Sequence, residues 1–174
     1  RGLGDVYKRQ ASGLLNTVSD QKYGDDNGVK WGYTSTPGAS GGSASEDMGS
    51  KGSGEFFDTG WWATSSGKIE YGFEVEPGTY TVSTGFNEWW GSTRGITITV
   101  SSVDEDGEST VLASGSASLS SSQTQDRNNL DIVVPEDTDH ILVTVTKASG
   151  GDPVLSWIGI AQTGISTELS LIHI

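Results

Sequence analysis

The chain has 174 residues, no cysteine and a formal net charge of −13. This length suits one domain with a single core, and the lack of thiols excludes disulfides and thiolate metal sites. The negative charge disfavours nucleic acid and anionic membranes as partners. No apolar run is long enough to span a membrane, so we expect no membrane insertion. The 25 glycines favour short strands joined by many turns.

The two ends of the chain differ from its middle. Residues 1–10 and 169–174 resemble translated sequencing-adaptor read-through of the kind found in proteins predicted from environmental DNA, and we expect them to be artefacts. A natural basic arm and apolar tail are the alternative. Residues 11–162 are predicted to form the folded module, regular from residue 20 onward, with 163–168 as a linker. If the ends are artefacts, the absence of a signal peptide says nothing about localisation.

The first half of the module is loop-rich up to residue 53, with one or two short strands predicted within 29–35. From Lys68 to Val75 apolar and polar residues alternate, as in a strand with one solvated face. A Pro-Gly turn at 76–79 then leads into a second alternating segment ending at Phe86. The pattern predicts that these two segments form an antiparallel hairpin.

The second half continues with alternating segments separated by turns. The pattern predicts about eight or nine strands in total and no helix, so the fold class is all-β, an antiparallel two-sheet β-sandwich of jelly-roll type. The later strands are predicted at 95–101, 109–113, 130–134, 140–147 and 154–161, with a polar stretch at 114–128 and the last strand deep in a sheet. The predicted core contains Ile69, Tyr71, Phe73, Tyr80, Val82, Ile96, Ile98, Ile141, Val143, Val145 and Ile158.

Several short segments resemble galactose-binding-like or malectin-like β-sandwich modules appended to bacterial polysaccharide-degrading enzymes. They are Phe57–Trp62, Pro77–Val82 leading into Gly85–Trp90, and Val154–Ile158. The resemblance covers most of residues 20–162. It implies sugar binding without catalysis through loops at one end of the sandwich, often with a structural calcium ion. It also implies a secreted or cell-surface bacterial protein in which this module accompanies a glycoside hydrolase.

Tryptophan provides the evidence for sugar binding that comes from the residues themselves. Six tryptophans occur, and four of them form the adjacent pairs Trp61-Trp62 and Trp89-Trp90. Neighbours in an extended chain point to opposite sides, so one member of each pair is expected outside the core. An exposed indole offers an apolar platform that suits the C–H face of a sugar ring. The alternative is that these tryptophans cap a small, loop-covered core.

Polar residues beside the two tryptophan pairs supply hydrogen-bond donors and acceptors for sugar hydroxyls. We therefore predict a carbohydrate-binding site made of the four paired tryptophans and their polar neighbours. These neighbours are Asp58, Asn87, Glu88 and Arg94.

Other chemistries have weaker support in the sequence. Glu88 with Asp58 or Glu55 could form a glycosidase pair, but no spacing places two carboxylates in one site, so no catalytic residue is predicted. His140 has no second histidine within the module with which to bind a transition metal. Acidic turns at 25–28 and 104–108 contain oxygen ligands suited to calcium. A structural Ca²⁺ therefore stays open, and no other cofactor is expected.

The resulting functional prediction is a non-catalytic module that holds a larger, secreted multi-domain protein on a polysaccharide or glycan. The expected partners are that glycan and other modules of the same polypeptide. A structural spacer or protein-contact sandwich in a cell-surface protein is the alternative, and a ligand-accessible tryptophan would favour the first prediction.

Overall fold

A computed structural model describes residues 20–24, 28–34, 43–45, 57, 60–64, 66–122 and 124–165. Within these ranges every regular element longer than a single residue is a strand. No helix there has the length and hydrophobicity needed to cross a membrane. The strands are β1 (Trp31–Tyr33), β2 (Ser43–Ser45), β3 (Gly60–Trp62), β4 (Lys68–Phe73), β5 (Gly78–Asn87), β6 (Arg94–Asp104), β7 (Ser109–Leu119), β8 (Gln125–Val134), β9 (Thr138–Gly150), β10 (Val154–Leu155) and β11 (Trp157–Ile165).

All strand pairs within the sheets are antiparallel, and the described strands form three sheets. A five-stranded sheet has the order β1-β4-β9-β6-β7, a second has β11-β5-β8, and a small third sheet has β10-β3-β2. The two larger sheets bury one shared core, since alternate apolar residues of each point inward. This arrangement confirms the predicted all-β sandwich. It also confirms every predicted core residue except Ile158, which is only partly buried against the core.

The predicted hairpin between the strands on either side of the Pro-Gly turn is wrong. Strand β4 pairs with β1 and β9, whereas β5 pairs with β8 and β11. The turn therefore carries the chain from one sheet to the other. At its far end the Tyr80 hydroxyl donates to the Glu76 carbonyl at 2.8 Å. Burial, followed by the nearby Glu76 charge, raises the pKa of Tyr80 to about 12.

Two further strand predictions also need correction. The expected polar stretch at 114–128 is largely strand, because β7 continues to Leu119 and β8 begins at Gln125. Strand β7 lies at the edge of its sheet, where short polar side chains can alternate with small apolar ones.

The last apolar segment is two strands rather than one strand deep in a sheet. It breaks at Ser156, whose backbone N–H donates to the Gly85 carbonyl at 2.8 Å. After the break β11 pairs with β5 and continues to Ile165, so residues 163–165 belong to the sandwich and not to a linker.

Both termini that were interpreted as artefacts lie outside the described residues.

Trp157 begins β11 on the outer face of the β11-β5-β8 sheet, directly opposite Gly85. The indole lies over this glycine so closely that an added Cβ would be 1.9 Å from Trp157 Nε1. Phe57 contacts the ring edge-on, and the Arg127 guanidinium is 5.8 Å from its centroid. Trp157 thus covers a glycine in the sheet, which is a structural role.

Candidate functional site

An open groove of about 480 Å³ lies at one end of the sandwich. Its walls come mainly from two segments, the β5–β6 connection with the start of β6 and the end of β9 with the β9–β10 connection, and Trp62 of β3 adds to them. Antiparallel pairing of β6 with β9 brings these connections together, because Arg94 lies opposite Gly150. The lining residues are Trp62, Trp90, Ser92, Arg94, Lys147, Gly150, Gly151 and Asp152.

The second tryptophan pair divides between the core and the groove. Trp89 is 3% exposed and packs beside Gly60, where an added Cβ would be 3.0 Å from its ring. Trp90 is 51% exposed and lines the groove. The two rings meet nearly at right angles with centroids 5.9 Å apart. The prediction that one member of this pair enters the core and the other faces solvent is confirmed.

The other pair, Trp61-Trp62, does not divide between core and solvent, since both of its members are partly buried. Trp62 lines the groove, whereas the Trp61 indole N–H donates to the Asp20 carboxylate at 2.7 Å. The Tyr71 hydroxyl donates to the same oxygen at 2.8 Å. Burial first, and then the Asp20 charge, raise the pKa of Tyr71 well above its usual value. Trp61 therefore ties the segment at residue 20 to the sandwich, and its polar edge is not available to a ligand.

Glu88 and Arg94 form an ion pair beneath the groove. Glu88 is 0% exposed and Arg94 is 5% exposed, and Arg94 Nε donates to Glu88 Oε2. The other carboxylate oxygen of Glu88 accepts the backbone N–H groups of Trp90 at 2.6 Å and Gly91 at 2.9 Å. The carboxylate thus fixes the backbone of the loop that presents Trp90. Such charge-assisted hydrogen bonds are about twice as strong as neutral ones.

Arg94 also links this loop to the opposite wall of the groove. Its Nη1 donates to the Asp152 carbonyl. The centre of its guanidinium is 5.1 Å from the centroid of the Trp90 ring, within the range of a cation–π interaction. Gly151 leaves room for the guanidinium, because an added Cβ would be 2.8 Å from Nη1.

Two polar residues predicted to contact a ligand do not reach the groove. Asn87 is fully buried, and its amide donates to the Phe57 carbonyl at 3.0 Å. Glu88 accepts hydrogen bonds from Arg94 and from the backbone of its own loop. The interpretation of these two side chains as direct sugar contacts is therefore wrong for this structure. Asp58 lies outside the described residues.

The comparisons with known proteins concern the fold. No protein-family model matches the chain, and no curated protein matches it. The CBM22-1 xylan-binding domain of Xyn10C from Paenibacillus barcinonensis aligns with a TM-score of 0.55 over 79% of this chain and 88% of that domain, at 10% identity. A xylan-binding domain of CBM family 22 gives a TM-score of 0.52 at 14% identity, covering 83% of this chain and 92% of its own.

A third similar structure contains more than one module. It holds the N-terminal CBM22-1 and GH10 modules of endo-1,4-β-D-xylanase 10B from Clostridium thermocellum, complexed with xylohexaose. It aligns with a TM-score of 0.50 at 19% identity, over 78% of this chain and 26% of the larger one. The chain has the fold of a carbohydrate-binding β-sandwich module. At the level of fold, this confirms the resemblance inferred from the sequence.

Several lining residues of this module were missed by the sequence analysis. Ser92 lies two residues after Trp90 in the same loop, and a serine in a loop gives no indication of a binding role on its own. Lys147 and Gly150 come from the end of β9, and Gly151 and Asp152 from the β9–β10 connection, all far in sequence from Trp62 and Trp90. The one available signal was the Gly-Gly-Asp-Pro run, since consecutive glycines and a proline mark a tight connection. Gly150 has a φ of 72°, a conformation that favours glycine.

One of the two acidic turns considered for calcium, at residues 104–108, is used for backbone hydrogen bonding. Asp104 Oδ1 accepts the N–H groups of Asp106 at 3.0 Å and Glu108 at 2.8 Å, which closes the turn before β7. Across the described ranges, no group of three or more histidine, aspartate or glutamate side chains has the arrangement of a metal site. In the other acidic turn, residues 25–27 lie outside those ranges.

Proposed function

We propose that this chain is a non-catalytic carbohydrate-binding module that binds a glycan chain in the groove lined by Trp62 and Trp90. The observation that carries the proposal is the exposed indole of Trp90, held over Arg94 at the edge of an open groove. Trp62 and Trp90 lie together in an open groove with a few polar neighbours, and this combination of apolar surface and convergent polar groups is typical of ligand sites.

The groove chemistry supports a ligand that is apolar on one face and rich in hydroxyls at its edges. The Trp90 ring supplies the apolar surface for sugar C–H groups. Ser92, Lys147 and Asp152 supply donors and acceptors around it. One positive and one negative side chain at the rim, Lys147 and Asp152, favour a neutral glycan over a highly charged one. The similar modules described as xylan-binding make xylan the first polysaccharide to test.

Affinity for the glycan should be weak. An aromatic contact contributes about 0.5–1.5 kcal/mol beyond the burial of area. One or two stacked rings with solvent-exposed hydrogen bonds therefore give a Kd on the order of 10 μM to 1 mM, or roughly 4–7 kcal/mol. Weak binding of this kind is useful when tethering to other modules raises the effective concentration. We accordingly propose that the module belongs to a larger secreted or cell-surface bacterial protein.

A catalytic role for the described residues has no support in the site geometry. A glycosidase needs two carboxyl groups that face the same glycosidic bond. Glu88 is buried in its ion pair, and among the described residues that line the groove Asp152 is the one with a carboxylate. Attachment to the substrate of a neighbouring catalytic module is the role that these residues support.

Affinity electrophoresis tests the proposal. The chain is run through gels containing xylan, galactan or β-glucan, with and without a chelator. Trp90→Ala should abolish retardation while circular dichroism shows a folded sandwich. Trp89→Ala should chiefly lower the melting temperature, because it empties a buried site. Val133→Ala is the control, since it removes an exposed apolar side chain outside the groove and should leave retardation intact. Full binding by a folded Trp90→Ala variant would contradict the proposal.

A further inference from the structure

Glu88 and Arg94 are the two charged side chains that are buried in the part of the chain that the structure describes. Burying an ion pair is costly, because both charges lose hydration and their attraction often only restores that loss. Replacing such a pair by apolar residues of similar size is frequently neutral or stabilising. The stability of the sandwich alone therefore does not explain why charges occupy these positions.

The contacts of the pair all lead to the groove. The Glu88 carboxylate holds the backbone of Trp90 and Gly91. Arg94 lies against one face of the Trp90 ring and donates to the Asp152 carbonyl on the opposite wall. Thr93, adjacent to Arg94, accepts the backbone N–H of Gly151 at 2.9 Å, so the two connections also meet directly.

We infer that the Glu88–Arg94 pair is a brace that fixes the orientation of Trp90 and the distance between the two walls of the groove. Glu88 and Arg94 are positioning residues, because they act on the ligand through Trp90 and Asp152. The inference rests on the proposed function, since the groove it concerns is the proposed glycan site. Arg94 covers one face of the Trp90 ring, so a sugar ring stacks on the other face only.

Only an arginine can make all of these contacts at once. Its planar guanidinium presents Nε and Nη2 to the Glu88 carboxylate while Nη1 points to the Asp152 carbonyl. A lysine at this position would keep the charge, but its three donors sit on one nitrogen and lack the planar fork. It cannot reproduce the two-nitrogen contact with Glu88 together with the separate contact to the Asp152 carbonyl. Arg94→Lys therefore tests whether the brace needs the guanidinium contacts or only a positive charge at this position.

Two variants test the brace in the full chain. Arg94→Lys keeps the buried charge pair but breaks the link between the walls. Glu88→Gln combined with Arg94→Met removes both charges, retains an acceptor for the Trp90 and Gly91 N–H groups, and fills the space beneath the ring. Arg127→Lys is the matched control, because Arg127 also lies over aromatic rings but outside the groove.

We expect both brace variants to fold and to bind polysaccharide about tenfold more weakly, a change of about 1.4 kcal/mol. Affinity is lost because Trp90 and the Asp152 wall must be ordered on binding. The circular dichroism signal from coupling between the Trp89 and Trp90 rings should also decrease, and quencher should reach Trp90 more readily. Arg127→Lys should change none of these readouts.

The brace is refuted if both variants fold, bind like the wild-type chain and keep the Trp89–Trp90 signal. The glycan-binding proposal would then still stand, provided that Trp90→Ala abolishes retardation. If the wild-type chain binds none of the polysaccharides, the proposed function fails. In that case the spectroscopic measurements are the only test of the brace. An unchanged circular dichroism signal from the Trp89–Trp90 pair in the double variant would overturn it.

Discussion

Replacing Glu88 by alanine should strongly destabilise the chain, because three donors lose their acceptor at once. The Arg94 guanidinium is left buried beside an empty site, and the Trp90 and Gly91 N–H groups lose their hydrogen bonds. Removing one partner of a buried ion pair costs about 3–5 kcal/mol. For a chain of this size each kcal/mol lowers the melting temperature by roughly 2–4 °C, so the expected drop is about 6–20 °C.

The control for Glu88→Ala is the same substitution in an exposed ion pair. Glu74 lies 3.7 Å from Lys30, and the Lys30 and Glu74 side chains are 58% and 39% exposed. Solvent-exposed pairs contribute about 0–1 kcal/mol, so Glu74→Ala should shift the melting temperature by only a few degrees. Thermal unfolding of both variants, followed by circular dichroism, gives the comparison. Equal melting temperatures for the two variants would mean that the Glu88–Arg94 pair does not have the buried character on which this reasoning depends.

Two further predictions concern other parts of the sandwich. Gly85→Ala should destabilise the chain by about 1–3 kcal/mol in urea unfolding, because the new methyl group displaces the Trp157 indole; a variant as stable as wild type would refute the packing described for Trp157. Burial raises the pKa of Tyr80 to about 12 and also raises that of Tyr71. The unfolded chain then loses its tyrosine protons first, so stability present below about pH 10 should fall as the pH rises further. Tyr71→Phe should reduce this alkaline loss, and an unchanged pH profile would count against the assignment.

The fold class and most of the core could be predicted because they depend on a local pattern. Alternation in 68–75 and 79–86 indicates which side chains are buried, and the structure places them in the core. The same pattern says nothing about which strands pair. Strands β4 and β5 both present an apolar face to one core, and they do so from opposite sheets, so the predicted hairpin between them was wrong.

The candidate site could be predicted only where neighbouring residues constrain each other. Alternation in an extended chain predicted the division of Trp89-Trp90 between core and solvent, but the structure places this pair in a bend after β5, and it leaves both members of the strand pair Trp61-Trp62 partly buried. The role of Glu88 could not be foreseen, because a glutamate beside tryptophans is equally consistent with a ligand contact and with a buried ion pair. Lys147 and Asp152 join the groove through the pairing of β6 with β9, which no local pattern specifies.

The order of the groove walls along the chain has a consequence for how the module folds. Glu88 and Arg94 are six residues apart, so the Trp90 loop can assemble together with β5 and β6. The contact from Arg94 to Asp152 spans 58 residues and needs β9 to pair with β6 first. During synthesis the exposed indole of Trp90 therefore emerges before its opposite wall exists. We expect the groove to be among the last parts of the sandwich to form, and the first to open when β9 detaches from β6.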